Sequence, residues 1–252
     1  MFVDLSGRAA VVTGGGTGIG QAISLALARC GAAVTVGYSR SKTEAEATAR
    51  EINDAGGRAL AVKADVTDES QVKLLVTTAV EAFGGLDILV ANAGGPVAQG
   101  LTDELTESMW NEGLDLNCKS VFLCVKHAME HLPQGRGRIV ITSSISARSG
   151  AMPGALTYVA AKGGINNMVR CWAKEFGPRG ITVNAIAPGI IWTRIHSEGT
   201  PPEKLAELIR RIPLGRKGLP EDCAGTVLLL ASDEGSYITG QTIEINGGMQ
   251  MP

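Results

Sequence analysis

Seven short runs of apolar, largely β-branched residues recur along this chain, at residues 9–13, 33–36, 59–62, 88–91, 138–142, 181–186 and 242–245. They are continuously apolar rather than alternating, the pattern of strands covered on both faces, and so they predict a mostly parallel sheet. Between them lie stretches with helical periodicity, such as Val72, Leu75, Val76, Ala79, Val80 and Phe83. Asp68 and Gln71 have capping-box spacing ahead of that stretch, and Gly84 supplies its stop. Right-handed crossovers are the expected connections. No linker, charge block or repeat divides the chain. The expectation is therefore an α/β fold: a single doubly wound domain over residues 1–252, with a seven-stranded, mostly parallel sheet and helices on both faces. Segment 193–220, with Pro201, Pro202, Pro213 and Pro220 around a short helix at about 203–211, is expected to act as a substrate lid.

Composition removes several classes of function. There are 23 basic and 25 acidic side chains, a net charge of -2, and hence no basic excess for nucleic acid. The apolar runs fall well short of the ~18 residues that span a bilayer, and the opening residues carry no secretion signal, so a cytoplasmic protein with no membrane partner is expected. Cys30, Cys118, Cys124, Cys171 and Cys223 form no Cys-x-x-Cys pair and are expected to be mostly buried small hydrophobes. His127 and His131 are four apart, but no acidic third ligand is placed with them, and His196 stands alone; no metal site is expected.

The first strand runs into Thr13-Gly14-Gly15-Gly16-Thr17-Gly18-Ile19-Gly20 and then into a small-residue helix at residues 21–30. Strand, glycine loop and helix in that order let backbone approach a phosphate, while the helix N-terminus offers free N–H groups and a positive dipole end. The literal Gly-x-Gly-x-x-Gly fingerprint is absent.

What stands instead, Thr-Gly-x-x-x-Gly-Ile-Gly, resembles the glycine loop of the short-chain dehydrogenase/reductase family. The resemblance continues through Ala91-Asn92-Ala93-Gly94, Asn117, Ser144, Tyr158-Val159-Ala160-Ala161-Lys162, Pro188-Gly189 and Thr193, and covers residues 5 to about 248 in the family's order. It implies a Rossmann-type domain that binds a nicotinamide dinucleotide. It implies a catalytic set of Asn117, Ser144, Tyr158 and Lys162, with Asn117 in a proton relay through water and Lys162. Ser144 is one residue further from Tyr158 than the commonest family spacing, which leaves Ser143 and Ser146 as alternatives. By the same resemblance Thr13, Gly14, Gly16, Thr17, Gly18, Ile19, Gly20, Tyr38, Ser39, Arg40, Asp65, Val66, Asn92, Ala93 and Gly94 map to cofactor contacts or their supporting shell. So do Tyr158, Lys162, Pro188, Gly189, Ile190, Ile191 and Thr193.

The residues themselves make this chemistry reasonable. Tyr158 and Lys162 are four apart in a helical run and share a face. A free tyrosine titrates at about 10, and a lysine cation beside it favours the phenolate. Such a phenol exchanges a proton with an alcohol or carbonyl oxygen.

The second run ends Val36-Gly37-Tyr38-Ser39-Arg40-Ser41-Lys42, and the first acid after it is Glu44. No acid sits where it would bind a ribose diol, while Ser39 and Arg40 suit a 2′-phosphate, so NADP(H) is expected over NAD(H). The expected activity is hydride transfer between nicotinamide and a small-molecule carbonyl or secondary alcohol. Residues 34–41 and 212–216 resemble fatty-acid-synthesis reductases, which implies a 3-oxoacyl thioester on acyl-carrier protein. Small ketones, polyols or sugars are the alternative, and a catalytically silent nucleotide sensor the non-enzyme one. Lys174, Arg136 and Arg138 are candidate carrier-docking charges, set against Glu130 and His131. Residues 194–217 carry six basic and three acidic side chains that would attract an anion. A homotetramer is implied by resemblance, with Val121, Val125, Val169 and Trp172 either on outer stripes of helices 116–131 and 157–176 or in the core.

Overall fold

The computed structural model describes residues 3–193 and 202–251. Strands β1 (Ala9–Thr13), β2 (Ala33–Tyr38), β3 (Arg58–Lys63), β4 (Ile88–Ala91), β5 (Arg138–Thr142), β6 (Thr182–Pro188) and β7 (Thr242–Ile245) form one sheet in the order β3-β2-β1-β4-β5-β6-β7. Every neighbouring pair is parallel. The chain winds outward from β1 to β3, returns beside β1 as β4, and winds the other way to β7. The carboxyl ends of β1 and β4 therefore flank the point where connections diverge, the crevice in which doubly wound sheets bind ligands.

The helices are α1 (Gly18–Arg29), α2 (Lys42–Asp54), α3 (Glu69–Phe83), α4 (Glu107–Leu114), α5 (Ser120–Ala128), α6 (Ser146–Ser149), α7 (Leu156–Phe176), α8 (Pro202–Arg210) and α9 (Pro220–Ala231). Successive strand residues point to opposite faces, so each apolar run feeds two cores. Val11, Leu89, Ile139 and Val183 pack with Leu75 of α3, Val121 of α5 and Val169 of α7. Val12, Val90, Val140 and Ile186 pack with Leu27 of α1, Ile52 of α2 and Val227 of α9.

Several expectations need correcting. Asp68 does cap α3, accepting from the N–H groups of Ser70 and Gln71, but Gln71 does not close the box. The Asp68 N–H donates to the Asp65 carbonyl, and Gln71 Oε1 accepts instead from the Asp65 N–H at 3.0 Å. The helix expected over 116–131 belongs to a longer helical run that starts at Glu107, is interrupted by a π-helical turn at Asp115–Lys119, and ends at Ala128. Val121, Val125 and Val169 are at most 2% exposed in the core, and Trp172 packs partly against it. Their outer-stripe reading fails because that face of each helix lies on the sheet. The large apolar side chains exposed on this part of the surface are Trp110, Phe122 and Leu156.

Arg136 and Arg138 are not free docking charges. Arg138 is 1% exposed and bonds the Ser232 carbonyl and Asp233, while Arg136 bonds Asp87. Of the cysteines, Cys124 and Cys223 are buried, Cys30 and Cys118 half-buried and Cys171 exposed. Within the expected lid, residues 194–201, including Arg194 and His196, lie outside the described residues. The described part carries α8 and returns to the sheet, where the Trp192 N–H donates to the Gly218 carbonyl at 2.8 Å.

Candidate active site

A cavity of about 1090 Å³ opens along the carboxyl ends of β1, β4 and β5. At one end, β1 turns at Thr13 into the glycine loop, and α1 begins at Gly18. Thr17 precedes α1 in extended conformation, its side chain caps nothing, and the first turn holds no acid. That helix end is therefore left to an anion. Gly18 has φ +52° and lies against Thr193, whose methyl would be 3.2 Å from an added Cβ. Gly16 and Gly20 do not line the cavity; a Cβ at Gly16 would strike α2 at Ala45, and one at Gly20 would strike the Gly14 carbonyl. Glycine at both positions is what lets the loop close.

Three strand ends are then tied together. Thr13 Oγ1 accepts from the N–H groups of Asn92 and Ala93, each at 3.0 Å, and Asn92 Nδ2 donates back to the Thr13 carbonyl at 3.0 Å. Thr142 Oγ1 donates to Asn92 Oδ1 at 3.2 Å. Asn92 is thus oriented from β1 and β5 at once.

Asn117 sits fully buried in the π-helical turn, a feature often found at functional sites. Its Oδ1 accepts from the Gly95 N–H at 2.9 Å, and its Nδ2 donates to the carbonyls of Gly95 and Gly113 at 3.0 and 3.1 Å. A Cβ on Gly94 would lie 2.8 Å from Asn117 Oδ1 and 3.4 Å from Lys162 Nζ, so glycine is what lets the loop pass close to both.

Ser144 follows β5, lines the cavity, and accepts from the Ser146 N–H at 3.1 Å. With that acceptor engaged, its hydroxyl is free to donate, and it bonds Tyr158. Ser143 also borders the cavity but spends its hydroxyl on Asn166 at 2.7 Å, and Ser146 does not line it. Burial pushes the Tyr158 phenol up, and the bond to Ser144 pulls it back. The downward pull by lysine expected from the sequence is not among the influences on this phenol, and the Lys162 ammonium points at the Thr142 carbonyl, 2.7 Å away. Lys162 Nζ lies 5.6 Å from the Tyr158 ring centre, and burial brings its pKa down to about 8.

At the other end the cavity is bordered by Tyr38, Ser39, Arg40, Asp65 and Val66, and along its floor by Ala93, Pro188, Gly189 and Ile191. Ile190 is buried behind them. Asp65 Oδ1 is held by the Thr67 N–H and hydroxyl at 3.0 and 2.7 Å. Sequence reasoning missed Thr67, Ser41 and Glu44 at this end, and Pro96 and Val97 near Tyr158. It also missed Ser108, Asn111, Glu112 and Asp115, whose three-, four- and seven-residue spacing is a readable polar helix stripe. Among the described residues no group of three or more His, Cys, Asp or Glu side chains is placed to hold a metal. None of the described helices is long and apolar enough to cross a membrane.

A nicotinamide dinucleotide fits these residues: bare glycine backbone and an uncapped helix end for its phosphates, and volume beyond the ~300–1,000 Å³ of a typical small-ligand site. The family model described as "Enoyl-(Acyl carrier protein) reductase" matches residues 14–250. A 3-oxoacyl-[acyl-carrier-protein] reductase of Staphylococcus aureus is 42% identical over 245 residues, covering 97% of this chain and 98% of that protein. A dehydrogenase/reductase from Sinorhizobium meliloti superposes with TM-score 0.93 at 38% identity, covering 99% and 98% of the two chains. A short-chain dehydrogenase from Burkholderia cenocepacia in complex with NADP gives 0.89 at 36% identity, covering 97% and 98%. With this glycine loop, this Tyr158–Lys162 pair and these relatives, the chain belongs to the short-chain dehydrogenase/reductase family and is an NAD(P)-dependent oxidoreductase acting on alcohol or carbonyl groups.

Proposed function

We propose that the protein is an NADP(H)-dependent carbonyl reductase, with a 3-oxoacyl thioester as first substrate candidate. The observation that carries the reading is the Tyr158 phenol, bonded by Ser144 and overlain by Lys162, at the wall of a cavity that begins at the glycine loop. A bound nicotinamide dinucleotide supplies the hydride, or accepts it in the reverse direction. Ser144 holds the substrate oxygen, and Tyr158 gives that oxygen its proton as the carbonyl becomes an alcohol. Lys162 stays cationic at neutral pH and favours the phenolate that remains. Asn117 holds Gly95, and with it the loop beside this site, in register.

NADP(H) is favoured by Ser39 and Arg40 on the cavity rim, with no acid before Glu44. The NADP named in the complex of the Burkholderia relative supports the same choice. The thioester is favoured by the Staphylococcus relative's name. A free ketone, polyol or sugar is the second reading, favoured by one observation: Arg136 and Arg138 are committed to Asp87 and Asp233, which leaves Lys174 with little help in docking an acidic carrier. The reading also includes one domain with segment 193–220 as lid, a cytoplasmic location, and a homotetramer built partly from helices 116–131 and 157–176, with Phe122 exposed on the first of them. Oxidation of NADPH and of NADH is followed with acetoacetyl thioesters, free diketones and sugars. Turnover of a thioester with NADPH supports the reading; no turnover of any carbonyl overturns it, and a solution mass near 26.1 kDa rejects the tetramer.

A further inference from the structure

The loop after β4 carries Pro96 and Val97 into the cavity beside Ser144 and Tyr158. It has no secondary structure of its own, so its position depends on what holds it. Asn117 grips its root at Gly95. Its far side meets the segment leading into α7 where the Gly100 N–H donates to the Gly154 carbonyl at 3.1 Å. Between these points, among the described residues, the hydrogen-bonding hold is a single side chain: the Thr157 hydroxyl shares its one proton between the Ala98 carbonyl at 3.3 Å and the Val97 carbonyl at 3.5 Å. Ala98 takes φ +52°, a left-handed conformation costly for a residue with a Cβ, and it lies at this hold.

Thr157 is itself fixed. It is 1% exposed, and Gly113 of α4 lies directly against it, so that a methyl at position 113 would come within 2.7 Å of its hydroxyl oxygen. It immediately precedes Tyr158 in α7. One buried hydroxyl therefore joins the loop that walls the substrate end to the helical turn that carries the phenol.

We propose that Thr157 is a positioning residue that sets the width of the substrate cleft, and hence which carbonyl substrates fit, by holding the Pro96–Val97 wall at a fixed distance from Tyr158. The inference rests on the reading of Tyr158 as proton donor. It concerns the wall of the substrate end and leaves the glycine loop and the cofactor end untouched.

The test compares Thr157→Val, which keeps the shape and removes the hydroxyl, with Thr157→Ser, which keeps the hydroxyl. Hydrogen exchange is followed at the amides of residues 97–101, and NADPH-dependent reduction is followed with ethyl acetoacetate and the bulkier ethyl benzoylacetate. Loss of a hydroxyl that spans two carbonyls predicts about tenfold faster loop exchange and about tenfold higher KM in Thr157→Val, with kcat within about threefold. Discrimination between the two esters should shrink, NADPH affinity should stay within about twofold, and Thr157→Ser should behave as wild type. If Thr157→Val does not fold, Thr157→Ala against Thr157→Ser isolates the same hydroxyl. Unchanged loop exchange, equal failure of Thr157→Ser, or a matching loss of NADPH affinity overturns the proposal. Tyr158→Phe runs alongside: if it keeps turnover, the proton-donor reading falls, while the exchange result still decides what Thr157 holds.

Discussion

The Lys162 ammonium donates to the main-chain carbonyl of Thr142 across 2.7 Å, linking the catalytic-helix lysine to the last residue of β5. The same Thr142 orients Asn92 through its hydroxyl, so one residue serves both sides of the cavity. Lys162 is 2% exposed and among the described residues no carboxylate bonds it, so its charge is held at a cost that a group able to face it relieves.

That cost is visible in pH. The Lys162 pKa is lowered to about 8 in the folded protein, below its ordinary value near 10.5. Below pH 8 both states carry the proton and the penalty is complete. Between about 8 and 10.5 the unfolded chain binds more protons, so stability rises with pH. Wild type should therefore gain stability relative to Lys162→Met over that window and hold a constant gap below it. Denaturant unfolding at pH 6, 7.5, 9 and 10 checks this; a gap that is flat throughout contradicts the buried-cation account.

Tyr158→Phe removes one oxygen and leaves the glycine loop intact. Turnover should fall by at least about a hundredfold, the lower end of what a positioned proton donor contributes, while NADPH affinity stays within a few-fold. Steady-state rates paired with a fluorescence titration of NADPH decide it, and wild-type kcat would remove Tyr158 from the mechanism.

Arg40 stands on the cavity rim at the end of β2. Charge-assisted bonds to phosphate contribute ~1.5–3 kcal/mol, so Arg40→Ala should weaken NADPH by about ten- to a hundredfold and leave NADH nearly unchanged. Wild-type kcat/KM should favour NADPH. Equal values for the two cofactors, or an equal loss of both in the variant, would show that Arg40 reads no 2′-phosphate.

Gly20→Ala places a methyl against the Gly14 carbonyl, and backbone there has no flexible end to swing aside. Overpacking of this kind costs ~1–3 kcal/mol. The variant should melt earlier and bind either cofactor poorly, although Gly20 does not itself line the cavity. Calorimetry with and without cofactor measures both effects; unaltered binding would mean the loop can relax without losing its shape.

Much of the fold was legible from the chain because its signals are local. Strand positions, the glycine loop and the Tyr158–Lys162 spacing depend on runs of a few residues whose periodicity or turn chemistry is fixed by their own backbone. The assignment of Ser144 was open at that level, since three serines stand within four positions of the chain. It was separated only by partners brought from elsewhere: Asn166 takes the Ser143 hydroxyl, and Tyr158 meets Ser144.

Tertiary structure decided whatever depends on a distant partner. Local spacing allowed Gln71 to close a capping box, but the Asp68 N–H had a nearer acceptor in Asp65, and the amide moved to brace Asp65 instead. Arg136 and Arg138 read as free charge until the fold set them beside Asp87 and Asp233. Val121 and Val169 have the same side chains on either face of a helix, and only the sheet beneath them makes one face the core. The amino-acid sequence by itself determined which elements form and which reactive groups they carry. Their mutual placement, such as Thr13 against Asn92 across 79 positions or Asn117 against Gly95 across 22, came from strand order. Hydrogen bonds between such residues form only after the sheet has brought their backbones together, and no local pattern encodes them.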